Sequence, residues 1–294
     1  MNAFFIEPWT YDFMQRAAFE LLILGAVCGV VGCFVVLRGL AFIGEALAHA
    51  VFPGVVLSYL AGRSILIGAF VFGILTAVGV GALSRSRRVS EDSAIGVLFA
   101  AFVAFGVVLI SRQAGFKKDL GSLLFGNVLG VSNGDVWVTL IVGLVILVIV
   151  FAVFKELALA SFDATFARSL GYPVFALELL LLLLIAATIV VSLQAVGNIL
   201  VLALIVTPAA TARLLTDLLS RMVVLSVAVA TASGLIGLFA SYHSNTAAGG
   251  TIVLTATAFF IAALVFAPNH GMLATWLLRR RGGHHVHHYH VANE

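Results

Sequence analysis

The sequence predicts an all-α polytopic membrane protein with eight or nine transmembrane helices. Hydrophobic residues make up 62% of the 294 and charged residues 10%, where soluble domains carry about 25% charged. Apolar runs of about 20 residues, the length that crosses a bilayer as a helix, recur along the chain. Arginines and lysines fall between these runs.

Residues 1–16 carry Glu7, Asp12 and Arg16 among aromatics and lack the pattern of a cleaved signal, so they predict an interfacial segment. The first span then serves as its own insertion signal. Spans are predicted near 17–37, 42–61, 64–84, 93–110, 135–156, 173–193, 196–215, 222–241 and 250–267. Only Gly62, Arg63 and Ser64 separate the second from the third, so one of them could be short or re-entrant and eight full spans is the alternative. Together 17–268 form one transmembrane domain, and 269–294 a cytoplasmic tail.

If nine segments cross, one side receives eleven basic residues, among them Arg38, Arg85, Lys155, Arg168 and Arg213, and the other side five. The basic-rich side is the cytoplasm, which puts the amino terminus outside and the carboxyl terminus inside. This topology accounts for the pI near 9.1 without a nucleic-acid partner.

Cys28 and Cys33 turn about 140° apart on one helix, so they read as small packing residues rather than a metal pair or a disulfide. In the second span, Glu45 and His49 lie four residues apart and so within about 40° on one helical face. An ionisable group at membrane depth costs at least about 2.5 to 3.5 kcal/mol on insertion scales, which makes a functional reading the default. A carboxylate and an imidazole there can share a cation; a hydrogen bond pinning two packed helices is the equal alternative.

Residues 111–134 form the longest outer loop, and the glycines of GSLLFGNVLG at 121–130 favour a re-entrant or interfacial segment lining an entrance. On the other side, 157–172 break the hydrophobicity. Ser161 or Asp163 can cap a short helix there, and Gly171 followed by Tyr172-Pro173 ends it. Such a helix is either a mechanical lever or a corner. Pro208 should kink its span, and Ala209, Ala210, Thr211 and Ala212 suit tight packing; Thr207 and Pro208 are candidate path residues. In the tail, His284, His285, His287, His288 and His290 form a cluster able to bind transition-metal ions.

No GxxxxGK[ST] loop precedes Lys117, Lys118 or Lys155, so any ATPase must be a separate polypeptide. No HExxH stands in the sequence, and no nucleophile with a placed base is found. Transport fits the residues better than catalysis, with channel, secondary carrier and ATP-driven permease all open.

Six ordered blocks resemble the membrane permease of bacterial ATP-binding cassette importers for manganese, zinc or iron. They are VVLRGLAFIGEALAHAVFPGV at 35–55, SEDSAIGVLF at 90–99, LLFGNVLGVSNGD at 123–135, SFDATFARSLGYPV at 161–174, VGNILVLALIVTPAATARLL at 196–215 and AAGGTIVLTATAFF at 247–260. The resemblance implies a type II ABC importer-like permease in the bacterial cytoplasmic (inner) membrane. It works as a homodimer with two cytoplasmic ATPase subunits that use the ATP and an extracytoplasmic metal-binding protein. No permanently bound cofactor is implied, and the transported ion is a divalent metal.

It also implies metal ligands at Glu45 and His49, from the family's G-[DE]-A-x-x-H pattern, in which aspartate is the commoner acid. Residues 161–171 resemble the coupling helix, which assigns ATPase contact to Phe162, Asp163, Phe166, Ala167, Arg168, Leu170 and Gly171. The HAVFPGV continuation, with Pro53 as a candidate path residue, resembles the manganese-type members. The histidine tail points toward zinc. Mn(II) is therefore favoured, with Zn(II) or Fe(II) possible. The rivals are a self-contained metal channel or proton-coupled carrier, with Glu45 and Glu178 as proton sites, and a non-transporting membrane scaffold.

Overall fold

A computed structural model describes residues 6–85, 90–111, 128–267 and 271–273. Its described secondary structure is helical throughout, and nine segments are long and apolar enough to cross a membrane. After a short 3-10 turn at Glu7–Thr10 come α1 (Asp12–Leu37), α2 (Ala41–Ala50), α3 (Phe52–Leu60), α4 (Ile65–Ser84) and α5 (Glu91–Ser111). A second 3-10 turn at Val128–Gly130 leads to α6 (Asn133–Ala152), α7 (Phe154–Phe162), α8 (Ala164–Ser169), α9 (Val174–Val196), α10 (Asn198–Leu215), α11 (Leu219–Ser244) and α12 (Ala248–Phe266). By length and composition the described helices favour nine segments over eight, because α2 and α3 together span Ala41–Leu60 and α4 follows as a full-length helix.

Helix α1 is the hub. Of its most apolar window 72% is buried, against 17% for α12, because α1 packs on α6, α10 and α11 while α12 touches only one side of the bundle. Glycines allow this closeness. A Cβ at Gly32 would run into the carbonyl oxygen of Ile205 on α10, and one at Gly29 would meet the backbone of Val227 on α11. Cys28 and Cys33 are free, buried members of the same core, as their spacing predicted.

The span Ala41–Leu60 is jointed at Val51, two residues before Pro53, whose missing N–H leaves a gap in the ladder. Beyond the joint, Gly54 on α3 and Gly68 on α4 bring the two backbones together. Helix α10 passes through Pro208 without ending.

At one end of the bundle the Arg38 Nη2 donates to Glu178 Oε1 at 2.7 Å. The Arg85 guanidinium sits 5.2 Å from the Phe175 ring centre, and Arg85, Arg168 and Glu178 line one cavity. Three of the arginines assigned to the cytoplasmic side thus gather at a single end, as the charge distribution predicted.

Candidate metal path and coupling surface

Helix α2 starts three residues after Arg38, so helical rise gives the position of the pair along the segment. At about 1.5 Å per residue, Glu45 stands about 6 Å and His49 about 12 Å along the helix from Ala41. Within the segment Ala41–Leu60, Glu45 lies in the half nearer Arg38 and His49 near the middle.

The two side chains meet different surroundings. Glu45 is exposed and lines an open groove of about 440 Å³ between α2 and α5, with Phe42, Ala46, Asp92, Ile95, Gly96 and Phe99. His49 is half-buried, with the edge of Phe99 against its ring at 5.8 Å between centres. Its Nε2 lies 3.2 Å from Nδ2 of Asn198 on α10. The hydrogen bond pinning two helices therefore exists, but it joins His49 to Asn198 rather than to Glu45. An amide N–H can only donate, so Nε2 accepts it and the ring proton sits on Nδ1. The other end of the amide, Asn198 Oδ1, is buried without a hydrogen-bond partner, a state that costs about 1 to 3 kcal/mol.

Asn198 reaches this position because α9 and α10 are joined by the single residue Gly197, at φ 82°. That backbone conformation suits glycine, and it starts α10 within reach of α2. Asn198 received no role from the sequence, although it stands inside the apolar run expected at 196–215 and within a quoted block. Asp92 was quoted within a block but likewise given no role. Glu20, fully buried on α1, stands inside the first apolar run, and that charge was a signal available to be read.

The other candidates sit elsewhere. Pro53 packs near the position a Cβ on Gly106 would take. Pro208 is buried, and Thr207 offers its carbonyl to Thr211 Oγ1 at 2.7 Å, about 14 Å of helix rise from Asn198. Neither is brought to His49. Glu178 is paired with Arg38, which occupies the carboxylate that the carrier reading would use for protons. The five tail histidines lie outside the described residues, as do 121–127 of the glycine-rich loop segment.

The short helix on the arginine side is built as its residues dictate. Asp163 Oδ1 accepts from the backbone N–H of Thr165 at 2.9 Å and Phe166 at 2.8 Å, capping α8. Gly171, at φ 83°, closes it, with N–H of Gly171 to the Arg168 carbonyl and of Tyr172 to the Ala167 carbonyl. Ala167 is fully buried, while Phe162, Phe166 and Leu170 are 58%, 51% and 56% exposed. Three large apolar side chains four residues apart, held outside the spans, form a surface suited to a protein partner.

Residues 10–267 match the ABC 3 transport family. Over 281 residues the chain is 43% identical to the manganese transport system membrane protein MntC of Halalkalibacterium halodurans, covering 96% of each. It is 40% identical over 260 residues to the chelated iron transport system membrane protein YfeD of Yersinia pestis, covering 88% of this chain and 87% of that one. Among solved structures, PsaBC from Streptococcus pneumoniae in complex with Fab superposes with a TM-score of 0.82 at 38% identity, covering 96% of this chain and 100% of that one.

Proposed function

This chain belongs to the ABC 3 transport family, and on that premise we propose that Glu45 and His49 hold the transported ion part-way across the bilayer. The chain is the multi-pass membrane permease of an ABC metal importer, not an enzyme, and ATP is hydrolysed by a separate subunit. Manganese is the favoured cargo, on the strength of manganese-transport relatives at 43% identity over most of the chain; Fe(II) and Zn(II) are the alternatives.

The observation that carries the site is the open groove lined by Glu45 and Phe99, with the Phe99 ring against His49 one helical turn along α2 from Glu45. A carboxylate and an imidazole replace part of the ion's hydration shell, and so few ligands from one chain let the ion leave again. The working unit is a homodimer in the bacterial cytoplasmic membrane, with two ATPase subunits and an extracytoplasmic metal-binding protein. Residues 1–16 lie at the interface, 17–268 form the permease domain, and 269–294 the cytoplasmic tail. ATP-driven closure of the ATPases pushes on Phe162, Phe166 and Leu170 and changes the side to which the path opens. Asp163 and Gly171 fix the ends of that lever, Ala167 seats it, and Arg168 faces the partner. Neutral imidazole is the metal-binding form, so acidification weakens the site.

The test is Mn²⁺ uptake by liposomes holding the permease, the ATPase and the solute-binding protein. Uptake should require ATP and fall at least about 100-fold in Glu45→Ala and in His49→Ala at equal protein levels. Flux through the permease alone, unaffected by adding the ATPase, would overturn the importer reading.

A further inference from the structure

We infer that Asn198 contributes a third, neutral oxygen ligand to the ion held by Glu45 and His49, and that this oxygen tilts the site toward Mn(II) over Zn(II). The inference rests on the ligand reading of Glu45 and His49 given above. It starts from a mismatch at Asn198. The side chain is 5% exposed and its Nδ2 is 3.2 Å from His49 Nε2, yet its Oδ1 has no partner. A buried amide is ordinarily bonded at both ends. This one is satisfied only at the end that faces the imidazole.

The two ends of an amide have nearly the same shape, so a half-turn of the side chain exchanges them without moving the backbone. After the turn, Oδ1 faces the Nε2 lone pair. With the ring proton on Nδ1, two acceptors at that separation repel each other and a cation between them removes the repulsion; the alternative is a shift of the ring proton to Nε2. Donors at right angles on an ion, each about 2.1 Å away, are about 3 Å apart. The 3.2 Å between Asn198 Nδ2 and His49 Nε2 is close to that spacing, so an exchanged Oδ1 and Nε2 can share one edge of a coordination sphere. Without the ion, the Asn198 N–H occupies the imidazole lone pair; with it, the carbonyl joins the ligand set. Gly197 fixes the backbone from which both arrangements are reached.

An amide oxygen is a hard donor that suits Mn(II) in octahedral geometry, whereas a nitrogen-rich, four-ligand set suits Zn(II). Carboxylate and imidazole alone leave the choice open. The added oxygen settles it.

The experiment measures initial uptake of Mn²⁺ and of Zn²⁺ by the complete transporter in liposomes, with the same solute-binding protein in every arm. Asn198→His exchanges the oxygen donor for nitrogen and should lower the Mn:Zn rate ratio by about tenfold. Asn198→Asp keeps an oxygen but deletes the N–H donor, and should hold the ratio within about twofold of the parent. If Asn198 served only to orient His49, Asn198→Asp and Asn198→His would both reduce uptake of the two metals in step, leaving the ratio unchanged; that result overturns the inference. Should Asn198→His fail to assemble, Asn198→Asp decides alone, because loss of uptake of both metals contradicts an oxygen ligand. His49→Ala, run in parallel, separates the two readings. Retained Mn²⁺ uptake there overturns the ligand reading itself, while loss there with an unchanged ratio in the Asn198 variants overturns only the third ligand.

Discussion

Glu20 and Glu45 both place a carboxylate inside an apolar bundle, in opposite settings. Glu20, on the hub helix α1, is 0% exposed and lies beside Thr139 of α6. Glu45, on α2, faces an open groove with Asp92 across it and His49 one turn further in. Glu20 is enclosed by its neighbours, and further along α1 Gly25, Gly29 and Gly32 draw the helix against α10 and α11. Along the groove the fit is loose, and a Cβ added at Gly96 would meet nothing within 4 Å. An acid at membrane depth is therefore not by itself a transport site. Access, created by a gap in packing, separates a carboxylate that can exchange ions from one sealed into the structure.

That contrast can be tested from either side. The largest effect belongs to the sealed region. Gly32→Leu drives a side chain into the Ile205 carbonyl, and overpacking of this kind costs about 1 to 3 kcal/mol even where a core can yield. Rigid backbone here cannot yield, so the folded, monodisperse fraction in detergent should collapse on size-exclusion chromatography. Gly96→Leu should keep the parent melting temperature, since its side chain enters open space, while partly filling the groove and lowering Mn²⁺ uptake about tenfold, or about 1.4 kcal/mol of barrier. A variant that melts early instead would show the groove to be part of the packed core. The smallest effect is expected from Glu20→Gln, which preserves shape and removes the ionisable group. Its stability should stay within about 1 kcal/mol of the parent and its uptake within about twofold; loss of transport there would place Glu20 on the path and dissolve the distinction.

Much of the architecture could be read locally. The second span was expected at 42–61 and lies at Ala41–Leu60; the fifth was expected at 135–156 and its helix is Asn133–Ala152. Asp163 and Gly171 cap and close α8 as their types suggest, because capping depends on side chains and φ angles within four or five residues. The site was legible only in half. Glu45 and His49 announced themselves by helical spacing, whereas Asn198 is 149 residues from His49 and no local spacing links the two.

The sequence by itself determined the membrane class, the order of the spans, the arginine-rich end and the helical face shared by Glu45 and His49. Each follows from composition or from periodicity within one segment, where the chain's own geometry fixes the outcome. Only the tertiary structure decided that Glu178 is held by Arg38, that Glu45 meets an open groove while Glu20 is sealed, and that His49 is bonded to Asn198. These depend on how closely separate helices approach, which glycines and the one-residue turn at Gly197 set jointly and no single stretch of sequence can fix.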